Sequence, residues 1–153
     1  MEEDEYRSTY DAVNQRRCIF EKAINARHVG CTQMHRFYLA DREGVGCQSE
    51  DANRRCIALL ERMRRDARFA LQLTHIGGPL PHNKEIRVQV GGLLGIQTLV
   101  QPERAGARKV ENAFDTLNRA EQRFGSIDAI PFNEVMKDIK QFQGRSRRRG
   151  FKK

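Results

Sequence analysis

Apolar positions recur at helical spacing along most of the chain. Tyr6, Tyr10, Val13, Phe20 and Ile24 fall near one face, which predicts a helix from about Ser8 to His28 after a frayed polar start over residues 1–7. Gly30 is a stop signal. A short helix from Gln33 to Glu43 is expected next, ended by Gly44 and Gly46. Ser49, followed by Glu50 and Asp51, reads as an N-cap with first-turn acids. It opens the clearest helix, Glu50 to Thr74, whose stripe of Cys56, Leu60, Met63, Ala67, Ala70 and Thr74 steps by four and three.

The run His75-Ile76-Gly77-Gly78-Pro79-Leu80-Pro81 breaks this pattern and divides a cysteine-bearing half, 8–74, from a C-terminal half, 83–144. Beyond it Ile86, Val88 and Val90 alternate as in a strand, and Gly91-Gly92 reads as a hairpin turn into Leu93–Val100. A helix through Ile86, Val90, Leu93, Gln97 and Val100 competes, but its glycines weaken it by about 1 kcal/mol each. A hairpin over 85–100 is therefore expected. Two further helices follow. The first runs from Arg108 to Phe124 and is capped by Gly125. The second starts at Pro131 and carries Phe132, Val135, Met136, Ile139 and Phe142 on one face. The expected fold is mostly α: a small bundle of about five helices with a short β-hairpin, forming one domain over 1–144.

Charge alters this picture only at the end. The net charge is +8, and the last nine residues, 145–153, supply six positive charges and no negative one. Removing those six leaves +2 for residues 1–144. The body is nearly neutral, with a basic and disordered tail attached, and is unlike a basic domain that coats a duplex. The tail is a candidate contact for nucleic acid, an acidic protein or anionic lipid. No apolar run approaches the length of a membrane span. The acidic start, Met1-Glu2-Glu3-Asp4-Glu5, resembles neither a secretory nor a mitochondrial leader, which points to the cytoplasm.

The candidate chemistry lies in the cysteines. Cys18, Cys31, Cys47 and Cys56 all fall in the first 56 residues, spaced C-x12-C-x15-C-x8-C. In a reducing compartment such thiols are expected to be ligands or reactive groups rather than disulfides. Arg-Arg-Cys occurs at 16–18 and 54–56, and Val-Gly-Cys at 29–31 and 45–47. If the two long helices pack antiparallel, Cys18 and Cys56 face each other, and the glycine turns at Gly30 and Gly46 aim Cys31 and Cys47 inward. Structural zinc sites use close C-x2–4-C pairs, which this chain lacks. An iron–sulfur cluster, a [4Fe-4S] cubane, accepts four isolated thiolates, with Arg16, Arg17, Arg54 and Arg55 offsetting its charge. Zinc, a redox thiol pair and unrelated core cysteines are the competing readings.

Other residues carry less. His28 and His35 lie within the cysteine segment as candidate ligands, and His75 and His82 flank the Gly-Gly-Pro loop. No serine–acid partner supports a hydrolase triad. Gly91-Gly92-Leu93-Leu94-Gly95 lacks the lysine and Ser/Thr of a phosphate loop, so a turn or a close helix approach explains it. No acid–base or nucleophile set argues for an enzyme. The leading expectation is a small iron–sulfur protein acting as electron carrier, redox sensor or accessory subunit. The alternatives are a nucleic-acid-binding regulatory module with the metal site as scaffold or switch, and a zinc-stabilised interaction protein.

Overall fold

Ser49 opens the longest helix as expected. In the computed structural model, which describes residues 2–73 and 79–142, its hydroxyl accepts the Ala52 N–H at 3.0 Å. Glu50 and Asp51 place negative charge at the positive end of the helix dipole. Helix α3 (Glu50–Ala70) then buries Leu59, Leu60, Met63 and Ala67 completely. It ends four residues before Thr74, and Gln72 turns into the left-handed region at φ 55°. Thr74, His75 and the Gly-Gly pair of the expected breaker loop lie outside the described residues, as does the basic tail 145–153.

The expected helix over 8–28 does not form as one piece. Helix α1 (Glu3–Val13) begins within the segment expected to fray and stops at Asn14, and the short α2 (Glu21–Asn25) starts seven residues later. Two causes act together. Between Val13 and Phe20 the sequence offers only Asn14-Gln15-Arg16-Arg17 and Cys18-Ile19, so two turns lack a strong apolar face. Buried Asn14 instead donates to the Val45 carbonyl at 3.0 Å, and residues 16–18 lie along a strand edge. The Cys18 amide donates to Val45 O at 3.0 Å, and the Cys47 amide to Arg16 O at 2.8 Å.

That strand belongs to a hairpin where a helix was expected. Strands β1 (Met34–Leu39) and β2 (Arg42–Cys47) pair antiparallel. Ala40 and Asp41 close the turn with φ of 52° and 68°, the conformation of a two-residue hairpin loop. Gly44 and Gly46, read from sequence as helix stops, are cross-strand partners of Phe37 and His35. The rings lie over them: a methyl on Gly44 would sit 2.3 Å from the tip of Phe37.

The hairpin expected over 85–100 is instead helical. Helix α4 (His82–Ile86) runs through a π-helical turn, Arg87–Gly91, into α5 (Gly92–Val100). This helix is central, which is why Val88, Val90, Leu93 and Ile96 are all buried although they cover more than one face. Its glycines permit close crossing. A methyl on Gly91 would lie 2.8 Å from Ile139 Cα, and one on Gly95 would lie 2.9 Å from the Asp138 carboxylate. Packing gained at that crossing outweighs the glycine penalty.

Two elements complete the fold. Asn112 caps α6 (Ala113–Phe124), which starts five residues later than expected and ends at Gly125 with φ 92°. Helix α7 (Phe132–Gln141) follows Pro131 and buries Phe132, Val135, Met136 and Ile139. The architecture is mostly α with one two-stranded antiparallel hairpin. One apolar cluster joins Phe20, Ile24 and Val45 to Leu60, Leu93, Leu117 and Ile139. Among the described residues no helix is long and apolar enough to cross a membrane.

Candidate metal centre

Three different kinds of backbone present the four cysteines. Cys18 sits on the extended segment held against β2. Cys31 follows α2 on a turn in which its carbonyl accepts the Met34 amide at 3.4 Å. Cys47 ends β2, and Cys56 lies in the second turn of α3. The expected facing of Cys18 and Cys56 across two long helices is therefore corrected, because Cys18 is not on a helix. Nevertheless, all four side chains line one cavity, together with Ile19, Phe20, Ile24, Met34, Ala52 and Ala113. The cavity encloses about 20 Å³, room for roughly one water. All four cysteines are free thiols and partly buried.

The turns also supply hydrogen bonds to sulfur. The Gln33 amide donates to Cys31 Sγ at 3.4 Å, and the Phe20 amide bonds to the Cys18 sulfur. Each is an amide two residues after its cysteine, the kind of bond that stabilises a thiolate and tunes a metal centre. Cys47 does the reverse as a thiol, donating to Ser49 O at 3.2 Å, and metal ligation would release that bond. Burial pushes the Cys18 thiol up to about 12, with the nearby Cys31 and Cys47 adding to the shift and the Phe20 amide opposing it. Burial likewise pushes Cys56 up to about 12, with Cys18, Cys31 and Cys47 adding and Arg55 opposing. Both groups feel the other cysteines as neighbouring charge.

Among the described residues, no three histidine, cysteine, aspartate or glutamate side chains stand close enough together, as placed, to hold a metal ion. The thiols ring a small void instead. A cluster fits there only if it replaces the thiol protons and presses the ring apart.

The arginines expected to offset cluster charge are mostly committed elsewhere. Arg17 pairs with Glu21 at 2.7 Å and stacks over Tyr10. Arg54 and Arg55 pair with Asp51, and Arg55 also reaches Glu121 and Asn118. Arg16 does approach the ring, donating to Cys47 O at 3.3 Å. Gly30 serves packing rather than a turn: a methyl there would sit 2.9 Å from Glu111 O. His28 packs edge-on against Phe142, His35 covers Gly46, and His82 meets Lys22, so none of the three lines the cavity. His75 lies outside the described residues.

Two buried polar groups beside the ring escape the sequence reading. Glu21 accepts the Tyr10 hydroxyl, the Val45 amide and Arg17. Glu85 accepts Arg64, Gln89 and the Leu80 amide. The four-residue spacings Arg17/Glu21 and Glu85/Gln89 were the available signal, but such pairs also occur on solvated helix faces.

Compared with known protein families, curated proteins and solved structures, the chain matches none. Its function is therefore read from its own residues.

Proposed function

We propose that this chain is a small iron–sulfur protein whose Cys18, Cys31, Cys47 and Cys56 hold one cluster, a [4Fe-4S] cubane, and that it serves as an electron carrier, redox sensor or accessory subunit. The observation that carries this reading is the cavity shared by four cysteines scattered over 39 residues of sequence. They come from a strand-like segment, a turn, a strand end and a helix, and local sequence alone does not bring such positions together. Two backbone amides aimed at sulfur support thiolate ligation. The lack of a close C-x2–4-C pair in the sequence speaks against a structural zinc site. When bound, the cluster would supply one-electron transfer. The protein's part is to hold the thiolates, exclude bulk water with Phe20, Ile24 and Ala113, and donate amides to the sulfurs.

Free thiols suit a reducing compartment, so the cytoplasm is the proposed location. The partner class is a redox protein or another acidic protein met through the basic tail 145–153, with nucleic acid as the alternative.

The test is anaerobic purification or reconstitution with ferrous iron and sulfide, followed by absorption spectroscopy and metal assays. Brown protein with about four irons and four sulfides per chain supports the proposal. Colourless protein with one zinc per chain replaces it with the zinc-stabilised reading. Folded protein that takes up neither metal removes both.

A further inference from the structure

A second depression of about 260 Å³ lies beside the cysteine cavity, and the two share Cys18 and Ile19 as a common wall. Six of its seven other lining residues are polar or charged and the seventh is Pro79, although most of the area they expose is apolar. Arg17, Glu21 and Lys22 come from the chain around Cys18, Arg64 comes from α3, and Glu85 and Gln89 come from the α4 helix and its π-helical turn.

The acceptors in this wall are already engaged. Glu85 is fully buried and takes Arg64 Nε at 3.1 Å, Arg64 Nη2 at 2.8 Å, Gln89 Nε2 at 2.8 Å and the Leu80 amide at 3.0 Å. Glu21 takes the Tyr10 hydroxyl, the Val45 amide at 2.8 Å and Arg17 Nε at 2.8 Å. Gln89 directs its oxygen to the Ala23 amide at 3.0 Å. The donors are less fully engaged. The bonds to Glu21 and Glu85 use Nε and Nη2 of Arg17 and of Arg64 and leave each Nη1 outside them. Lys22 Nζ meets His82 Nδ1 at 3.3 Å, at an exposed site. Three cations face two saturated carboxylates, so the pocket is left with one excess positive charge and unspent N–H donors. A wall of this kind recognises an acceptor-only anion and offers little to a cation.

We propose that this pocket binds one small oxyanion, a carboxylate or a phosphate, between Arg17, Lys22 and Arg64 and against the wall formed by Cys18. Its volume suits an ion the size of phosphate or a short dicarboxylate rather than a nucleotide. Binding depends on the pocket alone. What the ligand does there rests on the iron–sulfur reading: seated beside Cys18, the anion adds charge next to one cluster ligand and so makes the centre responsive to a small molecule.

Titration calorimetry of the full chain with inorganic phosphate and with malonate, at constant ionic strength set with chloride, tests this. The expected result is one saturable site with half-saturation at or below about 1 mM for at least one of the two anions. The tighter of the two identifies the ligand class. Lys22→Gln, at the rim and outside the buried networks, should weaken binding at least about tenfold, and Arg17→Gln should weaken it too. Deleting residues 145–153 should leave binding unchanged. Absence of a saturable site for both anions overturns the proposal. So does binding that Lys22→Gln leaves intact, or binding that the tail deletion removes. In the reconstituted protein the visible circular dichroism should change on saturation. Anion binding to protein that never takes up iron refutes the iron–sulfur reading while supporting the pocket, and a brown protein that binds neither anion does the opposite.

Discussion

The Ala113 amide donates to the Gly30 carbonyl at 2.8 Å, so the first residue of α6 pins the turn that presents Cys31. Gly30 returns a bond of the same length to Val110 O, and Val29 bridges Val110 alongside it. The cysteine segment is thus fastened to the C-terminal half immediately beside Cys31. Gly30→Ala sets a methyl 2.9 Å from Glu111 O in this seam. It should destabilise the fold by about 1–3 kcal/mol in denaturant titration, and cluster content at fixed iron and sulfide should fall with it.

Each of Cys18→Ser, Cys31→Ser, Cys47→Ser and Cys56→Ser should lose most of the visible absorption of the anaerobic protein. Two substitutions that leave the spectrum untouched would show that the chain supplies two ligands rather than four.

In metal-free protein Cys18 and Cys56 should resist iodoacetamide at pH 7–8, since burial holds both thiols at about 12. Peptide mapping after timed alkylation reads this. The sign for stability follows. A thiol raised in the folded state stabilises the fold fully below the ordinary thiol value of about 8.5, and that contribution fades as pH climbs from there toward 12. Chemical denaturation of metal-free protein should show declining stability across that alkaline window.

Glu85 behaves in the opposite sense. Burial alone would push its carboxyl up, but hydrogen bonds from Arg64, Gln89 and the Leu80 amide, with the Arg64 charge, outweigh burial and hold it below the ordinary value. Its contribution is present above about pH 4.3 and is lost as pH falls through the lower folded value. Arg64→Ala leaves that carboxylate buried with its main partner gone and should cost about 3–5 kcal/mol. Arg64→Ala should also raise the pH at which acid unfolding begins.

Gly91→Ala separates propensity from packing. Inside an exposed helix this change gains about 1 kcal/mol. Here the new methyl meets Ile139 Cα at 2.8 Å, so the variant should instead lose about 1–3 kcal/mol by thermal or chemical denaturation.

How far the sequence foretold this arrangement depended on what each residue type signals alone. Ser49, Gly125 and Pro131 act through local backbone chemistry, and the ends they mark are well placed; Asn112 caps a helix whose periodic pattern reaches back to Arg108 and so hides the true start. Gly44, Gly46, Gly91 and Gly92 carry no such fixed meaning. The first two receive aromatic rings across a hairpin and the latter two admit neighbouring side chains and backbone, yet in one dimension all four read as breakers. The hairpin turn Ala40-Asp41 gave no glycine to announce itself. Clustering of the cysteines did indicate a shared cavity. The route of Cys18 into it did not show, because it depends on β2 accepting a third segment along its edge.

Ala113 in the cavity wall has a consequence for the order of events during synthesis. Every thiol of the ring leaves the ribosome well before Ala113, the lining residue that comes from the C-terminal half. The nascent chain therefore carries its four thiols through a period in which the cavity lacks the wall that Ala113 supplies. A cluster of the kind proposed would then gain its full protein wall only after the C-terminal half has been made.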